Sequence, residues 1–411
     1  MSRYFLFYSY VYINCQQNDA LIYNTISKQI VIVTNKIILD CLSRIVLYST
    51  PYYIISICEK DIDSDVRHVL SDLENNFCGE LIQKDSEHLP IQLSPRILIK
   101  DRDINIYDGN KEIIEDFISD IGEYNDHIGR NILSNVLELT IHYNTLSIFK
   151  DIDKYKKAFL QYHFPKIGER EVLTIDNLKR VFSCDLPNLG RINLVIGTLL
   201  DKDINQLVEN VFPLLIKYTN NIFLYISLSD YEKIESYTGI QLKHVYIWCH
   251  PLEDINREDV SKNISLVSLV TSDEDLSCLL EKSYNAKDYY PLYTGENKEY
   301  CINELGFSVE DITSLSYSEK KVMQNKYVNS NFWGELTILP NGDVYSCVNC
   351  KRLGNVLNDS MRFIVWNEFA VSKSWFITRK KMTTCMNCKY NWLCPPITNI
   401  ELVLGNWTLC K

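Results

Sequence analysis

Between Leu137 and Val270 the chain repeats one rhythm: a short strand-like run, then a stretch with helical spacing. The runs are Leu137–Tyr143, Ile192–Ile196, Ile222–Leu228, Val245–Cys249 and Ile264–Val270. Helical stretches such as Asp203–Tyr218 and Asp273–Lys282 follow most of them. Strands separated by helices predict a parallel sheet, because parallel neighbours need a crossover between them. The fold class is therefore α/β, with the sheet open or partly closed into a barrel. Pro213 predicts a kink in the first of those helices, since it has no amide hydrogen. Ligands in such sheets gather at the carboxyl ends of the strands. Here those ends carry Asn144, Gly197, Ser229, His250 and Ser272.

Three other regions flank this one, which spans residues 137–325. Residues 1–84 read as a small α+β unit. Strands are expected at Tyr4–Asn14, Ala20–Tyr23, Ile30–Thr34 and Tyr52–Ile57, with a helix over residues 35–48. A second helix starts near Asp63 or Ser64, carries the stripe Val66, Val69/Leu70, Leu73 and Phe77, and stops at Gly79. Residues 85–136 form a polar connector with helices expected at Glu112–Ser119 and Asp126–Leu137. Residues 326–411 open on a hairpin, Gly334 to Cys347, whose turn Asn341-Gly342 supplies positive φ. A helix at Ser360–Val371 and a cysteine-rich end follow.

Fourteen cysteines in 411 residues could suggest a disulfide-stapled secreted protein. Cys15, Cys41, Cys58, Cys78, Cys184, Cys249 and Cys278 are instead scattered through apolar elements and read as reduced core residues. The aromatic, alternating start MSRYFLFYSYVYINC has no small-residue cleavage site and reads as a strand. No apolar run approaches the ~20 residues of a membrane helix. The expected compartment is the cytoplasm. A net charge of −11 without a basic block argues against a nucleic-acid surface and suits neutral or basic peptides. With 46% hydrophobic residues the chain has ample core.

The end of the chain carries the clearest chemistry. Cys385-x2-Cys388-x5-Cys394, braced by Pro395-Pro396, and then Cys410 can form a tetrahedral thiolate set. Such a set suits zinc or an iron–sulfur cluster, and its role would be structural because no coordination position stays open. Cys347-x2-Cys350 is a second pair at metal-binding or redox spacing. His250 is a weak catalytic candidate at a strand end, and His142 on a barrel strand reads as packing.

The hairpin with Gly342-x4-Cys347, followed by Cys385, Cys388, Cys394 and Cys410, resembles the SPASM domain, a C-terminal extension of radical-SAM enzymes that mature ribosomal peptides. ALIYNT at 20–25, GELIQ at 79–83, NSNFWGELTILPNGDVY at 329–345, LGNV at 353–356 and YNWLCPP at 390–396 extend the likeness. Together they resemble pseudo-radical-SAM SPASM proteins of Bacteroidales-type peptide clusters. Residues 1–84 resemble, by element order, the PqqD-like peptide-recognition domain of winged-helix type. The likeness implies a degenerate partial (β/α) barrel of radical-SAM type between that domain and the SPASM end.

Departures from the family shape what it implies. Its three cluster cysteines belong in the loop after the first barrel strand, here Asn144–Lys150, and no cysteine lies between Cys78 and Cys184. The glycine pair expected near the amino group of S-adenosylmethionine is reduced to Ile196-Gly197. No S-adenosylmethionine cofactor is expected, and one 4Fe–4S cluster at Cys385, Cys388, Cys394 and Cys410 is. The implied function is an accessory in peptide maturation. An extended leader would add to the edge of Ile30, Val31, Ile32, Val33 and Thr34 and press on Val66, Val69, Leu70 and Leu73. A separate maturation enzyme would then act. Two alternatives stay open: an active peptide-modifying enzyme using a SPASM cluster or Cys347/Cys350, and a metal-stabilised docking protein.

Overall fold

The structure is a computed structural model that describes residues 2–48, 53–82, 132–147, 152–235, 243–249, 264–281, 289–405 and 409–410. Contacts divide the chain into two units whose borders do not follow sequence order. The first takes Met1–Gly122, Phe307–Ser330 and Ile377–Pro396, and the second takes Glu123–Gly306, Asn331–Phe376 and Ile397–Lys411. The expected block 326–411 is thus shared between them.

In the first unit the predicted strand Tyr4–Asn14 is two strands, β1 (Ser2–Phe7) and β2 (Val11–Cys15), because the chain reverses at Tyr8–Tyr10. Next come β3 (Ala20–Asn24), β4 (Ile30–Val33), helix α1 (Lys36–Tyr48), β5 (Ile54–Cys58), helix α2 (Ser64–Asn75) and β6 (Gly79–Ile82). They pair as two antiparallel three-stranded sheets, ordered β5-β1-β6 and β2-β3-β4. The Asp63 side chain caps α2 by accepting from the Val66 amide at 2.8 Å. Val66, Leu70 and Leu73 then fall on one buried face. Phe77 does not extend that stripe: it takes φ 54° and stands 66% exposed. Gly79 does not cap the helix either. It lies in β6, where a Cβ would sit 2.2 Å from the Leu6 carbonyl oxygen. The core runs from Phe5, Phe7 and Tyr12 to Tyr317, Trp392 and Cys394.

The second unit is built on a nine-stranded sheet. Its strands are β7 (Glu138–His142), β8 (Arg191–Val195), β9 (Ile222–Ser227), β10 (His244–Cys249), β11 (Ile264–Val270), β12 (Tyr289–Pro291), β13 (Glu335–Ile338), β14 (Asp343–Tyr345) and β15 (Gly354–Asn355). The order is β12-β11-β10-β9-β8-β7-β13-β14-β15. All five expected strands lie within it and pair in parallel. β12 was not anticipated, since three residues ending in proline carry little strand signal. The hairpin's first strand was expected, but its parallel pairing with β7, which joins the hairpin to this sheet, was not. Only Gly342 has positive φ in the hairpin turn. Its amide donates to the Leu339 carbonyl at 2.9 Å, so Asn341 needs no left-handed backbone. The kinked helix expected around Pro213 is two short helices, Asp201–Gln206 and Phe212–Ile216, joined by a π turn at Leu207–Val211. The expected helix Glu112–Ser119 lies outside the described residues. So does half of Asp126–Leu137; of the described half, Ile132–Asn135 form a 3-10 turn.

Candidate functional site

Cys385, Cys388 and Cys394 lie on one run of turns in the first unit. The Cys388 amide donates to the Cys385 carbonyl at 3.0 Å, and the Cys394 amide to the Tyr390 carbonyl at 2.9 Å. Cys385 and Cys394 are buried and Cys388 half-buried. Asn325 Nδ2 fixes the end of the run by donating to the carbonyls of Trp392 and Cys394 at 3.0 and 3.1 Å. None of the three is in a disulfide. Three cysteines outside any disulfide on a constrained turn, two of them buried, fit a thiolate-held centre. A zinc ion bound at about 2.3 Å would draw its sulfurs to about 3.8 Å apart. Among the described residues these thiols do not form a trio within 4.8 Å of one another. Cys410 belongs to the second unit, where it is exposed.

Cys347 and Cys350 form a pair in the second unit. The Cys350 amide donates to the Cys347 carbonyl at 2.9 Å, and the two thiols hydrogen-bond. Cys347 Sγ also reaches Asn399 Oδ1 at 3.1 Å. The contact with Cys350, reinforced by burial, raises the Cys347 thiol. The same contact lowers Cys350. The two thiols titrate together, the first proton leaving more readily than the second.

A cavity of about 360 Å³ opens on one face of the nine-stranded sheet and includes Cys347 in its wall. Alternation explains its polarity. Leu139, Ile141 and Leu336 point into the opposite, apolar layer, whereas Glu138, Thr140, His142, Arg191 and Glu335 share the cavity face. β7 and β13 carry the same tetrapeptide, Glu-Leu-Thr-Ile, paired in register so that Glu138 faces Glu335. Burial, then repulsion from Glu138, pushes the Glu335 carboxyl up to about 8. Thr140 Oγ1 donates to Glu335 at 2.9 Å and accepts from Asn193 Nδ2 at 3.0 Å. Arg191 lies 3.5 Å from Glu138, donates to Asn193 Oδ1 at 2.8 Å and to Tyr225 Oη at 3.2 Å, and stacks on Phe223 at 3.8 Å.

Two histidines complete this wall. Burial, then Arg191, lowers His163 to about 4. Burial, then His163, lowers His142 to about 3. Both are neutral at pH 7. Sequence reasoning missed Glu138, His163, Arg191 and Glu335, although polar residues at alternate positions of buried strands were a legible signal.

Of the loop expected to hold cluster cysteines in a radical-SAM protein, residues 144–147 are described, and Asn144, Thr145 and Leu146 are buried. Asn144 Oδ1 accepts from the Gly197 amide at 2.7 Å, and its Nδ2 donates to the Thr198 carbonyl at 2.6 Å. Leu146 joins an apolar cluster with Phe164 and Trp248. Gly197 is explained by close approach: a Cβ there would lie 2.4 Å from the Thr145 carbonyl carbon. His250 lies outside the described residues.

The remaining predicted site residues lie in the first unit. β4 is an edge strand of its sheet; Val31 and Val33 are buried, Ile30 is half-buried, and Ile32 is 38% exposed. Val66, Leu70 and Leu73 pack inward in the core, with Val69 at its margin, so a peptide along α2 meets other side chains. Of the scattered cysteines, Cys78 is fully buried while Cys58 is exposed, correcting the expectation that all are core residues. No helix among the described residues is long and apolar enough to cross a membrane.

A comparison with curated proteins found no match. Among solved structures, the chain is similar to the crystal structure of Streptococcus suis SuiB, with 13% identity and a TM-score of 0.41, covering 99% of this chain and 100% of that one. It is also similar to Streptococcus suis SuiB bound to S-adenosylmethionine, with 11% identity and a TM-score of 0.38, covering 95% and 94%. Residues 330–389, which include Cys347, Cys350, Cys385 and Cys388, match the SPASM iron–sulfur cluster-binding domain.

Proposed function

We propose that this protein is an accessory in the maturation of a ribosomally synthesised peptide: it binds the precursor leader and presents the peptide to a separate enzyme, without radical-SAM chemistry of its own. One observation carries the reading. The chain matches an iron–sulfur SPASM domain over 330–389, yet the loop where radical-SAM proteins place cluster ligands, Asn144–Lys150, carries no cysteine, and Asn144, Thr145 and Leu146 in it are buried. Amide, hydroxyl and aliphatic groups in that loop do not replace three thiolates.

Residues 1–84, within the first unit, are the leader-binding part, a PqqD-like domain of winged-helix type. β4 presents an edge where an extended peptide adds as a strand, with Ile32 available beside it. An iron–sulfur cluster at Cys385, Cys388 and Cys394 braces the same unit. The match of residues 330–389, which include Cys385 and Cys388, to an iron–sulfur cluster-binding domain favours a cluster over zinc. Reduced cysteines throughout the described residues support a cytoplasmic setting.

The hydrogen-bonded Cys347/Cys350 pair favours a second reading, an active peptide-modifying enzyme. Incubating the full chain with its precursor peptide separates the two. The accessory role predicts leader binding at micromolar affinity or tighter, weakened by Ile32→Asp, with the peptide mass unchanged. A mass shift produced by this protein alone favours the enzyme. No leader binding leaves only a docking role.

A further inference from the structure

The second unit holds a donor set that the thiolate centre does not use. Glu138, His163 and Glu335 each offer a ligand atom, and these three atoms all lie within 4.8 Å of one another. It is the only such group of three among the described residues. We propose that these residues bind one first-row divalent metal ion at the wall of the cavity.

Geometry is the first support. Metal bonds of about 2.0–2.2 Å place neighbouring ligand atoms about 3–3.5 Å apart, so side-chain shifts of an ångström or so close this trio on an ion. The two carboxylates come from paired positions of adjacent parallel strands, which fixes their spacing. His163 is tied down from behind, because its backbone carbonyl accepts from Trp248 Nε1 at 3.1 Å.

Charge and surroundings agree. Two carboxylates face each other with a single guanidinium nearby, and Arg191 spends its donors on Asn193 and Tyr225 as well. Thr140 donates to Glu335 and Asn193 donates to Glu138, so both carboxylates are oriented by neighbours, as ligating carboxylates commonly are. Two carboxylates and one imidazole suit manganese, iron(II) or zinc rather than the soft-metal chemistry of thiolates.

An independent sign of a guest comes from His142. It is 2% exposed, lines the same cavity, and its Nδ1 has no hydrogen-bond partner in the structure. A buried ring nitrogen without a partner calls for a water or a ligand atom in the cavity. Three protein donors leave coordination positions free on that side. The bound ion would therefore present an open face to a small oxygen-bearing ligand, between the acidic pair and the aromatic wall of Tyr246, Trp248 and Tyr290.

Manganese is the suitable probe, because carboxylates bind it well and thiolates poorly. The full chain, with its cysteine site loaded, is titrated with Mn²⁺ while the free ion is followed by electron paramagnetic resonance. One bound ion per chain is expected, with a rise in melting temperature as Mn²⁺ is added. Glu335→Gln and His163→Asn should each weaken binding roughly tenfold or more, whereas Cys58→Ser, at an exposed thiol of the first unit, leaves it unchanged. Circular dichroism checks that each variant is folded, and the wild-type thermal shift stands without any variant. Wild-type protein that leaves Mn²⁺ free, or folded Glu335→Gln and His163→Asn proteins that bind it as tightly as wild type, overturns the proposal.

Discussion

Asn14 and Asn391, 377 positions apart in sequence, share a buried hydrogen bond of 2.9 Å from Nδ2 of the first to Oδ1 of the second. Asn14 Nδ2 also donates to the Lys389 carbonyl at 2.8 Å, and the Lys389 ammonium meets Asp19 at 2.6 Å. From the other side, Asn391 Nδ2 reaches the carbonyls of Cys385 and Met386 at 3.3 and 3.4 Å. The β2–β3 hairpin and the cysteine turn are thus one bonded assembly inside the first unit.

Removing that link should be felt as lost stability. Asn391→Ala deletes the acceptor of Asn14 and leaves buried carbonyls short of a donor, a loss of about 1–3 kcal/mol. Urea unfolding of Asn14→Ala, Asn391→Ala and the double variant checks it. The double variant should lose less than the sum of the two, because both singles break one shared bond. Strict additivity would show that the two amides do not act together.

Metal and fold should also be coupled. Binding energy at a thiolate centre is folding energy, so Cys388→Ser is expected to lose iron and lower the unfolding temperature together. Iron analysis and calorimetry on the same preparation make the comparison. An iron-free Cys388→Ser protein that unfolds at the wild-type temperature would remove the structural role.

The buried histidines set a direction for pH. His142 takes a proton near pH 3 when folded, against 6.5 for an ordinary histidine. Below 6.5 the unfolded chain binds a proton that the folded one refuses. The stability this group contributes is therefore complete above pH 6.5 and declines as pH falls toward 3. Urea midpoints at pH 7, 6 and 5 should fall for the wild type and fall less for His142→Gln. Equal slopes would place His142 in contact with solvent.

Much of the second unit was legible because its strands are runs of buried apolar residues. Ile264–Val270 is predicted residue for residue, since nothing within it competes with a strand. The first unit was harder: Tyr8–Tyr10 break a run that alternates evenly, and only pairing of β1 with β5 and β6 reveals the break. Gly79 and Gly197 looked like a helix stop and a remnant of a cofactor motif. Each instead yields space to a backbone carbonyl from a distant strand or loop, which no local pattern encodes. The acidic pair was hidden for the same reason. Glu138 and Glu335 lie far apart in sequence, and their facing positions follow from a register between strands assigned to separate domains. The cysteine motif was visible through its spacing, whereas the hydrogen bonds that tie it to β2 were not.

The most direct test is to load the full chain with iron and sulfide anaerobically, count its iron, and incubate it with S-adenosylmethionine and a strong reductant while 5′-deoxyadenosine is measured by mass spectrometry. The account predicts iron bound at the cysteine end, lost in Cys388→Ser, and no deoxyadenosine above a protein-free control. Sustained deoxyadenosine formation, or wild-type protein that takes up no iron, would contradict it.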